Sequence, residues 1–274
     1  MPLLCFASPK GGVGKYKTTL AANVCAELVR AGRRVLAIDL DPQNSLRIHF
    51  GVPLSDGAGF MPTVIQRLDW RQALQRTKAG VALLPYGQLS MDDVVEVSMR
   101  LAAHPELVAQ PLRALMADPD LAVVVDTAPG PSPQLATVLP LADLVVTVLL
   151  VDGVSVSLIP AVEDGRAYGR SIHVSRVGFT LNQYDGRTRL GPALLSAAQR
   201  HLGTRLLGTV YRDESVAEAA AAQRFVADYA PSSKAAQDLA TLTRAIDRRL
   251  FNRPPRWGWE RAAADTSLAE GHHA

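Results

Sequence analysis

At 274 residues, 48% hydrophobic and 20% charged, with a net charge of +3, the chain has the composition of a globular protein able to bury a full core. Disorder is excluded as the overall state. A membrane span is excluded for the purest apolar stretch, residues 144–151, because Asp143 and Asp152 bound it well short of the ~20 residues such a helix needs. Two cysteines, Cys5 and Cys25, offer neither a disulfide framework nor metal-ligand spacing, and no signal peptide is legible. The expected compartment is the cytoplasm.

Short runs rich in Val, Leu and Ile alternate with longer helical stretches along the chain. Residues 3–7, 34–39, 81–85, 121–126, 144–151, 177–181 and 206–210 are expected strands. Residues 18–31, 91–116, 157–168, 192–201 and 234–250 are expected helices between and after them. Near-continuous apolar strands that alternate with helices imply an α/β fold, a doubly wound and mostly parallel twisted sheet with helices on both faces. Such sheets bind ligands at the carboxyl edge of their strands. One domain over residues 1–250 is expected, followed by a flexible tail over 251–274.

The loop after the first strand carries the strongest chemical signal. It reads Ser8-Pro9-Lys10-Gly11-Gly12-Val13-Gly14-Lys15-Tyr16-Lys17-Thr18-Thr19, between an expected strand and an expected helix. Only five lysines occur in the chain, and three of them (Lys10, Lys15 and Lys17) fall in this window. Glycines let successive backbone N–H groups turn toward one anion, a lysine neutralises the β and γ oxygens, and a hydroxyl coordinates Mg²⁺. The plainer alternative, a glycine turn between strand and helix, does not account for the lysines and paired threonines.

With these residues in view, the chain resembles the deviant Walker A ATPases of the ParA/MinD type. The P-loop NTPase fold follows from that resemblance, as do ATP and Mg²⁺ as cofactors and a nucleotide-sandwich homodimer. It implies that Lys10 reaches across the dimer, that Lys15 acts on phosphate, and that Gly11, Gly12, Val13, Gly14, Lys17, Thr18 and Thr19 line the nucleotide. Asp39-Leu40-Asp41-Pro42-Gln43 resembles the switch motif, in which Asp41 lies near Mg²⁺ and the attacking water. Asp126-Thr127-Ala128-Pro129 resembles the Walker B strand end, so Thr18, Asp41 and Asp126 are the implied metal ligands. Leu181-Asn182-Gln183 resembles the strand end whose asparagine reads adenine, and the segment from Arg212 to Ala219 resembles the one beside the base.

Three further segments resemble the cellulose-biosynthesis branch, the BcsQ proteins: residues 46–52, 84–89 and 211–214. That resemblance implies an accessory or localisation factor that contacts other subunits of a bacterial membrane cellulose synthase complex, recruited to the inner face of the membrane or to a cell pole. Two other readings stay open. One is a non-hydrolysing nucleotide-binding scaffold of the same complex. The other is a DNA-partitioning ATPase, which the mild net charge disfavours.

The chain departs from the family pattern at Ala128, where proline is usual, and more consequentially in the loop after the first strand. Gly-Lys-Thr-Thr is uninterrupted in the family, whereas Tyr16-Lys17 is inserted here. Either Lys15 is the Walker lysine and Tyr16-Lys17 bulges, or Lys17-Thr18 takes the lysine–threonine role with Tyr16 at a glycine position. A tyrosine with positive φ costs ~1–2 kcal/mol, which favours Lys15 with a bulge. Thr18 is the Mg²⁺ ligand in both. Misplacement by ~1 Å can cost on the order of 10²-fold in rate, so any hydrolysis is expected to be slow.

The remaining candidates are weaker. Asp39 is expected to shape the switch turn. Six scattered histidines give no zinc spacing, and Ser132 in Gly130-Pro131-Ser132-Pro133 lacks a nucleophile elbow. Residues 244–261 hold six arginines with Trp257 and Trp259. A membrane anchor, a DNA surface, a partner dock and a solvated helix end all remain open for that segment, although Pro254-Pro255 breaks a single amphipathic helix.

Overall fold

The computed structural model describes residues 2–10, 14–66, 68–169 and 172–251, with residues 14 and 15 described in backbone only. Its strands in chain order are β1 (Leu3–Ala7), β2 (Arg34–Leu40), β3 (Gln75–Arg76), β4 (Ala82–Leu84), β5 (Leu121–Thr127), β6 (Leu144–Leu150), β7 (Val177–Tyr184) and β8 (Leu206–Tyr211). They form one sheet in the order β3-β4-β2-β5-β1-β6-β7-β8. Every pairing is parallel except that of β3 with β4, which is antiparallel at the edge.

The helices are α1 (Gly14–Arg30), α2 (Leu46–His49), α3 (Phe60–Gln66), α4 (Met91–Ala103), α5 (Glu106–Leu115), α6 (Pro133–Val138), α7 (Gly153–Val156), α8 (Ile159–Glu163), α9 (Gly191–Leu202), α10 (Glu214–Ala221), α11 (Val226–Tyr229) and α12 (Lys234–Phe251). Alternate residues of each strand point to opposite sides, so the sheet feeds two cores. Leu3, Cys5, Ile38, Val125 and Phe179 face one layer, shared with Val97, Val108 and Leu135 of α4, α5 and α6. Leu4, Phe6, Ala37, Val124 and Val146 face the other, shared with Leu28 of α1 and Leu239 of α12. Burial on both faces explains why these strands are apolar throughout rather than alternating.

Several elements depart from expectation for local reasons. The helix expected over 91–116 is two helices, because Pro105 forces His104 out of helical geometry, to φ −132° and ψ 66°. The stretch expected as one helix over 157–168 is the short α7 and α8 followed by turns. Ser132 caps α6: its Oγ accepts from the Leu135 N–H at 3.1 Å, and Pro133 opens the helix. Helix α12 runs through Phe251, one residue into the expected tail, and the rest of that tail lies outside the described residues.

Just beyond the carboxyl end of β4, residues 85–88 run alongside residues 57–61, which lead into α3. Phe60 N–H donates to Pro85 O at 2.8 Å, Met61 N–H to Tyr86 O at 2.9 Å, and Gln88 N–H to Gly57 O at 3.0 Å. Gly59 and Gly87 meet here. A Cβ on Gly59 would lie 2.1 Å from the Gly87 Cα, and Gly87 itself has φ +98°. Only two glycines permit that approach.

Candidate nucleotide site

Helix α1 begins at Gly14, directly over the carboxyl ends of β1 and β5. Its unpaired N–H groups make that end a favourable place for phosphate. Gly11, Gly12 and Val13 of the expected phosphate loop, and the side chain of Lys15, lie outside the described residues. Lys10 is half-buried at the end of β1, where the Ser8 hydroxyl donates to its carbonyl at 3.0 Å.

The inserted pair is not a bulge. Helix α1 runs unbroken from Gly14 to Arg30, and Tyr16 and Lys17 belong to its first turn. Neither residue type breaks a helix, so the insertion is absorbed by starting the helix earlier instead of distorting it. The consequence is positional. Lys17 is fully buried and its ammonium pairs with the Asp126 carboxylate, while Thr18 Oγ1 donates to the second oxygen, Oδ2, at 2.6 Å.

Three carboxylates gather around this contact. Asp39 and Asp126 are register partners on β2 and β5, and both are fully buried. Asp39 shapes the turn that follows it: its Oδ1 accepts from Asp41 N–H at 2.9 Å and its Oδ2 from Leu46 N–H at 3.0 Å. Asp41 accepts from Gln43 N–H at 3.0 Å. Burial, with the nearby Asp126 charge, holds the Asp39 carboxyl well above the usual carboxylate range. Burial also raises Asp126, while the Lys17 ammonium and the Thr18 hydroxyl pull it back. Tyr86 is buried near this cluster, its hydroxyl pushed up to about 12 by burial and then by Asp39 and Asp41.

Thr19 turns away from that cluster. Its hydroxyl lies 3.3 Å from His49 Nε2, its carbonyl accepts from Asn23 Nδ2 at 2.8 Å, and Asn23 Oδ1 in turn accepts from Val226 N–H at 2.8 Å. His49 is buried and its pKa is pushed down to about 4 by desolvation, so its ring is neutral at pH 7. Asn182 and Arg212 lie together on a separate cavity of about 220 Å³ between the ends of β7 and β8 and the start of α1. Arg212 is mostly exposed there and sits 3.8 Å from Glu214.

The donors fit a nucleotide-bound Mg²⁺. Among the described residues, no group of three or more His, Cys, Asp or Glu side chains forms a ready metal cage. Mg²⁺ does not need one, since it keeps several waters and takes one or two carboxylates plus substrate phosphate. Thr18, Asp41 and Asp126 present only hard oxygen donors. The buried Asn44 amide beside Asp41 has no partner for its Oδ1 or Nδ2 among the described residues, which leaves polar capacity open at the same place. Asn44, Gln183 and Tyr16 were not singled out as site residues by sequence. The backbone of Asn44 (φ 48°) and of Gln183 (φ 58°) is left-handed. The available signal was an amide residue close behind a candidate site residue, Asn44 three positions after Asp41 and Gln183 next to Asn182.

Residues 1–246 match the family model described as cellulose biosynthesis protein BcsQ. The chain is 30% identical over 253 residues to the chromosome-partitioning ATPase Soj of Thermus thermophilus, covering 90% of this chain and 96% of Soj. It is 27% identical over 250 residues to the cellulose biosynthesis protein BcsQ of Salmonella typhi, covering 88% and 92%. The septum site-determining protein MinD of Pyrococcus horikoshii, solved with Mg-ADP, matches with a TM-score of 0.71 at 24% identity, covering 90% of this chain and 96% of that one. Cobyrinic acid a,c-diamide synthase of Mycobacterium smegmatis, solved with an ATP analogue and magnesium, matches with a TM-score of 0.65 at 24% identity, covering 90% and 95%. The fold is that of these P-loop proteins.

Proposed function

The chain belongs to the BcsQ family of ParA/MinD-type ATPases, and from that membership we propose that it is a MgATP-dependent switch serving a bacterial cellulose synthase complex. The observation that carries the nucleotide part is the convergence of Lys17, Thr18 and Asp126 under the start of α1, with Asp39 and Asp41 alongside. Lys17 takes the role of the phosphate lysine: it is the lysine that shares a carboxylate with Thr18. Thr18, Asp41 and Asp126 hold Mg²⁺, which supplies charge neutralisation on the transferred phosphate. Asp41 orients water, and Asn182 and Arg212 face the base. Lys10, at the mouth of the loop, contacts the phosphates of a second copy when two chains close around nucleotide.

Hydrolysis is slow in this reading. Both oxygens of Asp126 are engaged, by Lys17 and Thr18, so metal binding has to displace a buried ion pair first. The same observation favours a second reading, a scaffold that binds nucleotide without turnover. Calorimetric titration with MgATP, with MgGTP as comparison, tests the first step. Saturable, ATP-selective binding that Lys17→Ala abolishes and Lys15→Ala only weakens is the expected result. Loss of binding on Lys15→Ala alone would return the phosphate role to Lys15, and no binding at all would remove the switch.

A further inference from the structure

The cavity at the ends of β7 and β8 has one wall that the family pattern does not supply. Its lining includes Tyr16, Thr19, Asn182, Gln183, Arg212 and Glu214. Tyr16 belongs to the inserted pair, so a chain with uninterrupted Gly-Lys-Thr-Thr has no aromatic ring there. Its position follows from helix geometry. Tyr16, Thr19 and Leu20 are spaced i, i+3, i+4 on α1, share one face, and all line the cavity, while Lys17 is carried round to Asp126.

We infer that Tyr16 forms a stacking wall of the nucleobase pocket and sets how tightly the chain holds a purine nucleotide. The inference rests on the nucleotide reading above. The cavity, about 220 Å³, is smaller than the ~300–1,000 Å³ of pockets that take whole drug-sized ligands, which suits a base and not its triphosphate. Its other ring, Tyr211, is already occupied: Tyr184 packs edge-on at 4.8 Å between centroids, and the Lys234 ammonium lies 4.8 Å over its face. No ring stacks on Tyr16 among the described residues, and its side chain is half-buried. On the same lining, the Asn182 and Gln183 amides with Arg212 and Glu214 offer donors and acceptors to the edge of a planar ring. A π-face and edge-reading groups on one cavity are what recognition of a purine uses.

The test compares wild type, Tyr16→Ala and Tyr16→Phe by calorimetry, each titrated with ATP and with inorganic tripolyphosphate in the presence of Mg²⁺. Removing a stacked ring is expected to weaken ATP about tenfold. Tyr16→Phe keeps the ring and stays close to wild type, and tripolyphosphate affinity is the same in all three. Unchanged ATP affinity in Tyr16→Ala overturns the inference and leaves the nucleotide reading standing. Equal losses for ATP and tripolyphosphate also overturn it, because Tyr16 would then act on the phosphate loop. A wild-type protein that binds neither ligand removes the nucleotide reading itself. Melting of each variant without ligand separates a binding loss from a folding loss.

Discussion

Lys17 and Asp126 form an ion pair with no solvent exposure on either side chain, across 109 residues of chain. Breaking such a pair from one side leaves a bare charge in the interior and costs about 3–5 kcal/mol. Lys17→Met is therefore expected to lower the urea midpoint sharply, and Lys17→Met with Asp126→Leu to recover much of the loss. Equal midpoints for the single variant and wild type would show that the pair opens to water.

Removing Tyr16 and Lys17 together brings Lys15 beside Thr18 and recreates the uninterrupted Gly-Lys-Thr-Thr. It also frees Asp126 from its buried partner. Steady-state ATP turnover of the deletion protein is expected to rise above that of wild type by about tenfold or more, given the sensitivity of phosphoryl transfer to position. Equal turnover would mean that the insertion does not limit the reaction.

His49 provides a pH signature. Its folded pKa of about 4 lies below the ordinary histidine value of 6.5, so the unfolded state binds the extra proton between those values. Its contribution is complete above pH 6.5 and is lost as pH falls toward 4, on the order of 3 kcal/mol. Asp39 and Asp126, raised by burial, act in the opposite sense from pH 3.8 upward, since the folded state there holds the proton more readily. Subtracting the stability profile of His49→Gln from that of wild type isolates the histidine. The difference should grow steadily from pH 4 to 6.5 and then level; a flat difference would contradict the neutral, buried ring.

The close approach of Gly59 and Gly87 leaves no room for a methyl group. Gly87→Ala adds a left-handed backbone penalty of ~1–2 kcal/mol to a steric clash with Pro62. A loss of more than about 2 kcal/mol is expected from either Gly59→Ala or Gly87→Ala. Chemical denaturation reads this directly.

The strands were legible because a parallel sheet covered on both faces leaves an unbroken apolar run in the sequence, as at residues 144–150. Strand β3 was not. Gln75-Arg76 is two polar residues at an antiparallel edge, and nothing in its composition separates it from a loop. The short helices α2, α3 and α11 were missed for a similar reason: each holds too few residues to show a period. At the site, the sequence resemblance implies Thr18 and Asp126 as ligands of one Mg²⁺, and the structure joins their side chains by a 2.6 Å hydrogen bond. What the insertion does to the loop was not legible. A local steric penalty on Tyr16 favoured a bulge, whereas the chain extends α1 by a turn, an outcome set by what the buried Lys17 finds across the sheet.

The candidate site draws on the ends of β1, β2, β5, β7 and β8, and on the first turn of α1. No contiguous fragment of the chain contains it, and its members are brought together only when the central strand β1 is seated between β5 and β6. Occupancy and global folding are thus thermodynamically linked: a ligand held a hundredfold above its Kd adds about 2.7 kcal/mol to the stability of the whole sheet. Protection against proteolysis should accordingly spread to edges remote from the ligand, so that nucleotide supply would govern how long the protein survives as well as what it does.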